Sequence, residues 1–332
     1  LKLYDSQVED YTVYCKDPIV DGKIKKISGG FVGLLKYVFD IRKELDKSKQ
    51  TVFHLRGFVA ACLFFLAALS RLKAIKYIYD PRGMFIEEQS EIIGWFMLVS
   101  PVLSAIEKSL IKNSLFTSVT TNKFREVMTD KYELVDKFEV VYNFTSLEIK
   151  QKKINLTNPT IGYVGSVNYW HDPDELFGLV GHLLKALGGG VFKMYAHPDK
   201  HSFIRERAKT FGIYPVLDFV DYANIGTEIS SFDLGISIVR PTPTTVIASP
   251  IKVSDYLASG ILVVANRGIG DFDDDYDLRS SVLLYDYGNF DKISLSDLAS
   301  VDYGNTEETV KLLSRDWNTK VFFARMNKEL EI

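Results

Sequence analysis

The stretch Ser249-Pro250-Ile251-Lys252-Val253-Ser254-Asp255-Tyr256-Leu257-Ala258-Ser259-Gly260-Ile261-Leu262-Val263-Val264-Ala265 contains one full turn of the pattern from which the chain is built. Ser249 with Pro250 reads as a helix start, since a serine side chain caps free amides and proline fits the first helical position with no donor to lose. Gly260 reads as the stop, because glycine adopts the left-handed conformation that ends helices. Ile261 to Ala265 is then an apolar strand. The same alternation extends upstream. Thr160 to Val164 is a strand, and Asp172-Pro173-Asp174-Glu175 is a helix start with Asp172 as cap and Glu175 closing a capping box. That helix runs to Leu187 and stops at Gly188-Gly189-Gly190. The strand Val191 to Ala196, a helix over Phe203 to Phe211, the strand Val216 to Val220, a short helix through Ile229 and the strand Leu234 to Val239 follow. Short apolar strands separated by helices imply a parallel sheet covered on both faces, with ligands beyond the carboxyl ends of the strands.

The first half repeats the style with weaker punctuation. Tyr11 to Cys15, Thr51 to Leu55, Ala74 to Tyr79, Phe116 to Thr120 and Glu139 to Tyr142 read as strands, and helices are expected near 31 to 46, 58 to 71, 101 to 113 and 122 to 130. No first strand and helix stand out before Tyr11, so the chain reads as starting inside the first helix. Asn155 to Pro159 reads as a polar linker. The expected division is 1–155 as one α/β domain, 156–304 as a second, and 305–332 as one long terminal helix that opens with a capping box at Asn305-Thr306-Glu307-Glu308 and crosses back to the first domain.

Composition sets the bounds. At 332 residues, 46% apolar and 25% charged, the chain is too long for one ordinary core and is not disordered. A net charge of −3 leaves no overall basic field, so nucleic acid is excluded as a first partner. The charge is uneven: residues 1–155 carry 24 Lys+Arg and 19 Asp+Glu (+5), the rest 16 and 24 (−8). A basic half beside an acidic half suggests one domain facing an anionic surface or ligand. Cys15 and Cys62 make no disulfide framework and no zinc site, which fits a reducing cytoplasm. Leu1-Lys2-Leu3 has no charged-then-apolar leader, so no signal peptide is read. The apolar run Phe58 to Leu69 is shorter than the roughly 20 residues of a spanning helix and reads as a buried helix. Ile92 to Ile106, with Trp95, Phe96, Met97 and Leu98, reads first as core packing and second as a membrane-facing segment.

The loops at the carboxyl edge carry the chemistry. A helix beginning after Ser249 and Pro250 offers free amides and the positive end of its dipole to a phosphate, and Lys252 adds a full charge. Asp255, one turn on along the same face, suits ribose hydroxyls. The pattern therefore describes a nucleoside diphosphate. Its plain competitor is an amphipathic helix with Lys252 and Asp255 solvated. Gly162-Tyr163-Val164-Gly165-Ser166 ends a strand with two glycines that let backbone approach a ligand, but it is not G-x-G-x-x-G, which argues against NAD. Gly268-Ile269-Gly270-Asp271 is a further flexible loop, and the run Asp271 to Asp277, lacking the glycine and terminal glutamate of a calcium loop, reads as solvated acid. In the first half His54-Leu55-Arg56-Gly57 and Asp80-Pro81-Arg82-Gly83, with Glu87 and Glu88, place polar residues at two neighbouring strand ends. His54 alone equally suits a satisfied structural histidine. His171 borders a helix start and His197 and His201 flank a turn, with no metal spacing among them.

These blocks, in this order, resemble the family-4 type retaining glycosyltransferases of the GT-B fold, which build bacterial surface polysaccharides such as capsule and lipopolysaccharide. His54-Leu55-Arg56-Gly57 resembles the family's H-x-R loop, and Asp80-Pro81-Arg82-Gly83 with Glu88 its D-x-R-G segment. Val119-Thr120-Thr121 is similar to the strand before the interdomain crossing, and Ile161 to Ser166 to the opening strand of the donor domain. Ser249-Pro250-Ile251-Lys252 with Asp255 to Gly260 resembles S-P-x-K-x-x-E-Y-L-A-x-G, and Gly268 to Asp271 a G-x-G-D loop. The resemblance spans most of residues 51–275.

What it implies is two doubly wound Rossmann-like domains facing a cleft, and a hexosyl transfer from a nucleoside-diphosphate sugar to a saccharide or lipid-linked acceptor, with no metal and no other cofactor. By position, His54, Arg82 and Lys252 would be catalytic. Gly165, Ser166, Val220, Asp221, Arg240, Ser249, Pro250, Ile251, Lys252, Asp255, Gly270 and Asp271 would bind donor, and Arg56, Asp80 and Glu88 would lie on the acceptor side. The implied location is the cytoplasm, with peripheral contact at the inner face of the membrane as an option. Three departures stand out. The E-x7-E pair falls on Ile247 and Asp255, so the loop Arg240 to Ala248 must supply the sugar contact. The Arg and Lys that follow the first turn are replaced by Ser166, Asn168, Tyr169 and Trp170, with Arg240 or Arg82 as compensating cations. The glycine-rich acceptor loop is not visible. An epimerase or phosphorylase of the same fold, or a non-catalytic nucleotide-sugar binder, are the alternatives.

Overall fold

The computed structural model describes residues 13–15, 24–26, 38–43, 45, 51–150, 152–272, 282–301 and 306–331. The chain divides into two compact units, one comprising Leu1–Val119, Arg125–Val141 and Thr319–Ile332, the other Thr120–Phe124 and Tyr142–Asn318.

In the first unit β1 (Val13–Cys15) and β2 (Ile24–Lys26) pair in parallel as a separate ribbon. The main sheet is parallel, β3 (Phe53–Arg56), β4 (Tyr77–Asp80), β5 (Thr117–Val119) and β6 (Phe138–Val140) in that order. Helices Phe58–Ala68, Ser100–Asn113 and Asn122–Tyr132 follow successive strands. Ile78, Phe116, Val141, Phe322 and Phe323 form a core cluster, so the helix Arg315–Leu330 fills this unit from the far end of the chain. A buried carboxylate, Glu107, accepts hydrogen bonds from Tyr79 (2.7 Å) and Tyr132, tying two helices to β4.

The second unit holds six parallel strands: β7 (Thr160–Val164), β8 (Val191–Tyr195), β9 (Val216–Asp218), β10 (Leu234–Ser237), β11 (Leu262–Asn266) and β12 (Val282–Tyr285). Their order β12-β11-β10-β7-β8-β9 is the doubly wound order, which reverses direction between β7 and β10. Both faces of the sheet are covered. Leu262 and Val264 of β11 enter one core cluster and Val263 and Ala265 the other, as the two-residue period of a strand requires.

Several expectations are corrected. Asp172 does cap its helix, accepting from Asp174 and Glu175 amides, but Glu175 closes no capping box; its Oε1 accepts the Gly288 amide at 2.8 Å. Pro250, not Ser249, is the cap residue of helix Ile251–Ala258, and no side chain caps it. The single terminal helix is two, Thr306–Leu312 and Arg315–Leu330, interrupted where Thr145 bridges Ser314; the capping box read at Asn305 falls outside the described residues. β12 and the helices Phe85–Ile92 and Leu295–Ser300 were not expected. Asp271 is buried rather than solvated. The polar linker is pinned: Asp233 accepts the amides of Asn155 (3.2 Å) and Thr160 (2.9 Å) and pairs with Lys152 at 3.4 Å. Helix Phe58–Ala68 buries only one face, leaving Val59 and Leu66 open, as is Leu69 at its end. Of the segment Ile92 to Ile106 expected to pack in the core, Gly94–Leu98 is a 3-10 turn with Trp95 and Met97 64% exposed and Leu98 82% exposed, and the rest from Ser100 opens helix Ser100–Asn113.

Gly162 acts in packing rather than ligand approach. It sits in the central strand, paired with Lys193 and Gly235, and a Cβ there would stand 1.9 Å from the Phe232 ring. Fully buried Phe232 has no room to move, and overpacking of this kind costs about 1–3 kcal/mol or more. Gly162→Ala is therefore expected to lower the melting temperature by several degrees; an unchanged melting curve would contradict this account of the strand.

Candidate functional site

The change of direction between β7 and β10 leaves a crevice at the carboxyl ends of the strands, which chain elements of this unit line. β7 ends in Val164, whose amide donates to the Tyr256 hydroxyl at 2.9 Å, and turns at Gly165. Gly165 has φ +135°, a conformation that calls for glycine, and a Cβ on it would stand 3.3 Å from Lys252 Nζ, tight enough to push the amine aside. Helix Ile251–Ala258 starts beside this turn with no side-chain cap, and its first amides face the opening as bare donors. Together with Ser166, His171, Val220 and Asp255 they enclose a cavity of about 290 Å³. A separate void of about 10 Å³, lined among others by Ser237 and Asn266, holds no more than a water.

Lys252 dominates the cavity electrostatically. Its Nζ is sealed from solvent, has no hydrogen-bond partner, and lies 4.1 Å from the centroid of the buried Tyr163 ring. Desolvation lowers the amine to about 7, and the ring face compensates only part of the lost hydration. Asp255, three residues on and buried, has an Oδ1 with no partner. Burial raises its carboxyl to about 6, opposed in part by a Thr145 hydrogen bond. An amine and a carboxylate held unsatisfied on one wall suit a ligand offering both an anion and hydroxyl donors.

The loop after β7 adds His171. Its Nδ1 lies 2.8 Å from Asn168 Oδ1 and 3.3 Å from Ser166 Oγ. Burial, then Lys252, lowers the ring to about 4. Beyond it Asp172 accepts Arg240 Nη2 at 2.6 Å and the Tyr287 hydroxyl. The Arg240 guanidinium also lies 4.5 Å over the Tyr169 ring, so this cation is engaged at the cavity's margin.

Of the residues expected to bind donor, Gly165, Ser166, Val220, Ile251, Lys252 and Asp255 line the cavity. Asp221 is exposed beside Val220. Ser249 and Pro250 approach the helix start, the Ser249 carbonyl accepting Asn143 Nδ2 at 2.9 Å. Gly270 and Asp271 do not line it. Asp271 gives both oxygens to the start of helix Asn122–Tyr132, accepting the amides of Asn122 (2.6 Å) and Lys123 (3.0 Å) and the Tyr142 hydroxyl (2.9 Å). In the loop 240–248 the Thr242 and Thr245 side chains tie the backbone to itself, Thr245 Oγ1 donating to the Arg240 carbonyl at 2.5 Å. The sequence places His171 at a helix start and Tyr163 in the turn that ends the first strand of this unit but gives neither a role in the site; the position of His171 between Asn168 and the Asp172 cap was the available signal.

In the first unit His54, Arg56 and Arg82 gather on one carboxylate. His54 Nε2 and Arg56 Nε are each 3.8 Å and Arg82 Nη1 is 3.9 Å from Asp80 Oδ2. Burial raises the Asp80 carboxyl, and burial with Arg56 lowers His54 to about 4. His54 also packs 5.5 Å from the Phe322 ring. Glu88, raised by burial and by Glu91 and Glu87, fills the space left by Gly83, where a Cβ would be 2.9 Å from its Oε1. Among the described residues no group of three or more His, Cys, Asp or Glu is placed to hold a metal ion, and no helix is long and apolar enough to cross a membrane.

No family model and no curated protein matches the sequence. Solved structures do match. The lipopolysaccharide outer core galactosyltransferase WaaB, in its apo form, superposes with a TM-score of 0.65 at 12% identity, over 96% of this chain and 90% of that one. Sucrose-phosphate synthase from Thermosynechococcus elongatus gives 0.69 at 13%, over 93% and 83%. Anabaena HepE in complex with UDP-glucose gives 0.61 at 10%, over 93% and 85%. The fold is that of the GT-B glycosyltransferases. At such identities the likeness concerns the GT-B fold alone, and its doubly wound second unit accounts for the cavity at the β7–β10 reversal.

Asp255 gives a direct test of this electrostatic description. Its carboxyl is raised to about 6 in the folded chain, above the unfolded value near 4, so ionisation opposes folding. The penalty is absent where both states are protonated, grows between about pH 4 and 6, and is constant above. Asp255→Asn is expected to stabilise the protein at pH 7 by on the order of 1 kcal/mol, with the gain vanishing near pH 4. Denaturant melts across this range check it; a loss of stability at pH 7 would show that the carboxylate is satisfied.

Proposed function

We propose that the protein transfers a sugar from a nucleoside-diphosphate sugar to a saccharide or lipid-linked acceptor, with retention of anomeric configuration and without a metal, in the synthesis of a bacterial cell-surface polysaccharide. The observation that carries this is Lys252 Nζ, sealed from water without a hydrogen-bond partner beside an uncapped helix start. Two neighbours of the same fold, a lipopolysaccharide galactosyltransferase and a protein in complex with UDP-glucose, support this reading.

In this reading Lys252 and the amides of Ile251 and Lys252 take the diphosphate and stabilise the charge that grows on it as the glycosidic bond breaks. Asp255 accepts ribose hydroxyls, and backbone at Val220 and Asp221 meets the base. Gly165 and Ser166 allow close approach, and Pro250 with Ser249 sets the helix start. Gly270 and Asp271 act at one remove, by fixing the start of helix Asn122–Tyr132. Arg240 acts through Asp172. The His54, Arg56, Asp80, Arg82 and Glu88 cluster is assigned to the acceptor and the transferring sugar. The leaving phosphate takes the acceptor's proton, so no enzymic nucleophile is needed.

Lys252→Ala is expected to abolish transfer and weaken nucleoside-diphosphate-sugar binding by on the order of a hundredfold, the scale of a lost charge-assisted contact. The pH profile is diagnostic because the donor's diphosphate diester does not titrate near neutrality. Above about pH 7 the amine of the empty site is neutral, so binding must take up a proton and affinity falls by up to roughly tenfold per unit. Below about pH 6 Asp255 becomes protonated, loses its charge and turns one acceptor oxygen into a donor, which weakens its hold on two hydroxyls. Titration calorimetry in buffers of different ionisation enthalpy reads both limbs; full activity of Lys252→Ala would overturn the proposal, and binding without turnover against any acceptor would favour a non-catalytic binder.

The exposed Trp95, Met97 and Leu98 turn, in the half carrying the positive charge, supports a peripheral contact with an anionic membrane at its cytoplasmic face, where a lipid-linked acceptor would lie. The wild type is expected to float with anionic vesicles at low salt and Trp95→Ser/Leu98→Ser to remain in solution. Equal flotation of both would remove this surface from the account.

A further inference from the structure

The loop after β7 carries a polar group that the proposed donor chemistry leaves unused. His171 lines the same cavity as Lys252 and Asp255, on a turn, Tyr169–His171, that Asn168 caps. Asn168 Oδ1 accepts the Trp170 amide at 3.1 Å, which fixes which end of that side chain is the oxygen. The same oxygen is 2.8 Å from His171 Nδ1. Two acceptors cannot share that contact, so Nδ1 carries the hydrogen and donates it. The neutral ring then bears its lone pair on Nε2, for which the described residues provide no partner. An acceptor in that state repels phosphate oxygens and suits a hydroxyl group.

We infer that His171 is a specificity-determining residue of the donor site, its Nε2 accepting a hydrogen bond from a hydroxyl of the transferred sugar, with Asn168 as the positioning residue that holds the ring in this tautomer. This rests on the donor reading of the cavity and deepens it, because it assigns the sugar rather than the diphosphate to the β7 loop. Two further observations agree. Lys252 is the charged wall group whose field acts on the ring, and together with burial it keeps the imidazole neutral, an acceptor at physiological pH. Ser166, Asn168, Tyr169 and Trp170, which precede His171 in the loop, carry no charge, so this stretch offers no side-chain cation to a diphosphate. The consequence is a preference for donors that keep the hydroxyl in question, since a half-buried acceptor that the bound sugar closes off from water and leaves unpaired penalises the deoxy analogue.

The test uses the full chain and two probes per nucleoside, the diphosphate and the diphosphate-glucose, across uridine, guanosine, adenosine and deoxythymidine. The tightest pair bound by the wild type is then measured with His171→Phe, which keeps ring shape without an acceptor, and His171→Gln, whose amide oxygen reaches the Nε2 position. His171→Phe is expected to bind the sugar nucleotide about tenfold more weakly and the bare diphosphate unchanged, with His171→Gln recovering much of the difference. Asn168→Ala should give an intermediate loss confined to the sugar nucleotide. Equal weakening of both probes would make His171 a diphosphate group and overturn the inference, as would no change in either. A wild type that binds none of the probes would overturn the donor site itself. Melting temperatures of the unliganded variants separate these outcomes from misfolding, and a variant that unfolds is replaced by the Asn168→Ala comparison, which decides by the same difference between probes.

Discussion

A lysine ammonium kept out of water without a counter-charge is the constraint on which the second unit turns. Lys252 Nζ has an aromatic face 4.1 Å away and no hydrogen-bond partner, and its amine is lowered to about 7 as a result. Such a group gains more from an arriving anion than a solvated lysine would, because its hydration has already been given up. Tyr163 must be fully buried to present its ring, Gly165 must lack a Cβ to leave the Nζ room, and the helix must start uncapped to keep its amides free. Each requirement weakens the isolated protein, and together they describe a surface that is complete when an anion is present.

The sheet supplies the rigidity that this arrangement needs. Tyr256 of the same helix packs over Gly235 of β10 and accepts the Val164 amide of β7, so one side chain spans the two strands that flank the reversal. Gly162 and Gly235 are therefore packing positions: the first makes room for Phe232 and the second for Tyr256. Lys252 and the end of β7 are fixed relative to each other through this aromatic layer. The precision of the cavity comes from well-packed strands, while its chemistry comes from the loops after them.

The strands and helices of residues 160–266 were legible because apolar runs, caps and glycine stops agreed there. What escaped had physical reasons. β12 is half-buried and follows an acidic run that masks its pattern, and the helix Leu295–Ser300 is short with a Ser294–Asp297 box that only the structure brings together. The terminal helix broke because Ser314 pairs with Thr145, a contact from a distant part of the sequence. At the site, Lys252 and Asp255 were legible from helical spacing alone. The partners of Asp271 were not, because they stand about 150 residues upstream, and a G-x-G-D loop shows no sign of bracing another helix. His171 was seen at a helix start, but its role was not legible, since its tautomer depends on Asn168, which in turn is oriented by the Trp170 amide.

The path of the chain has a bearing on its birth. Phe322, on helix Arg315–Leu330, is 1% exposed and packs against Phe116 and His54, inside the unit whose strands are all made first. On the ribosome, β3 to β6 leave the exit tunnel long before their filling side chains exist, while the later unit, contained in 120–124 and 142–318, has all its strands and both its core clusters. The order of completion is thus the reverse of the order of synthesis for the two cores. A nascent chain carries an unfinished apolar sheet until its last helix emerges, which places the cost of losing Arg315–Leu330 on the unit made first.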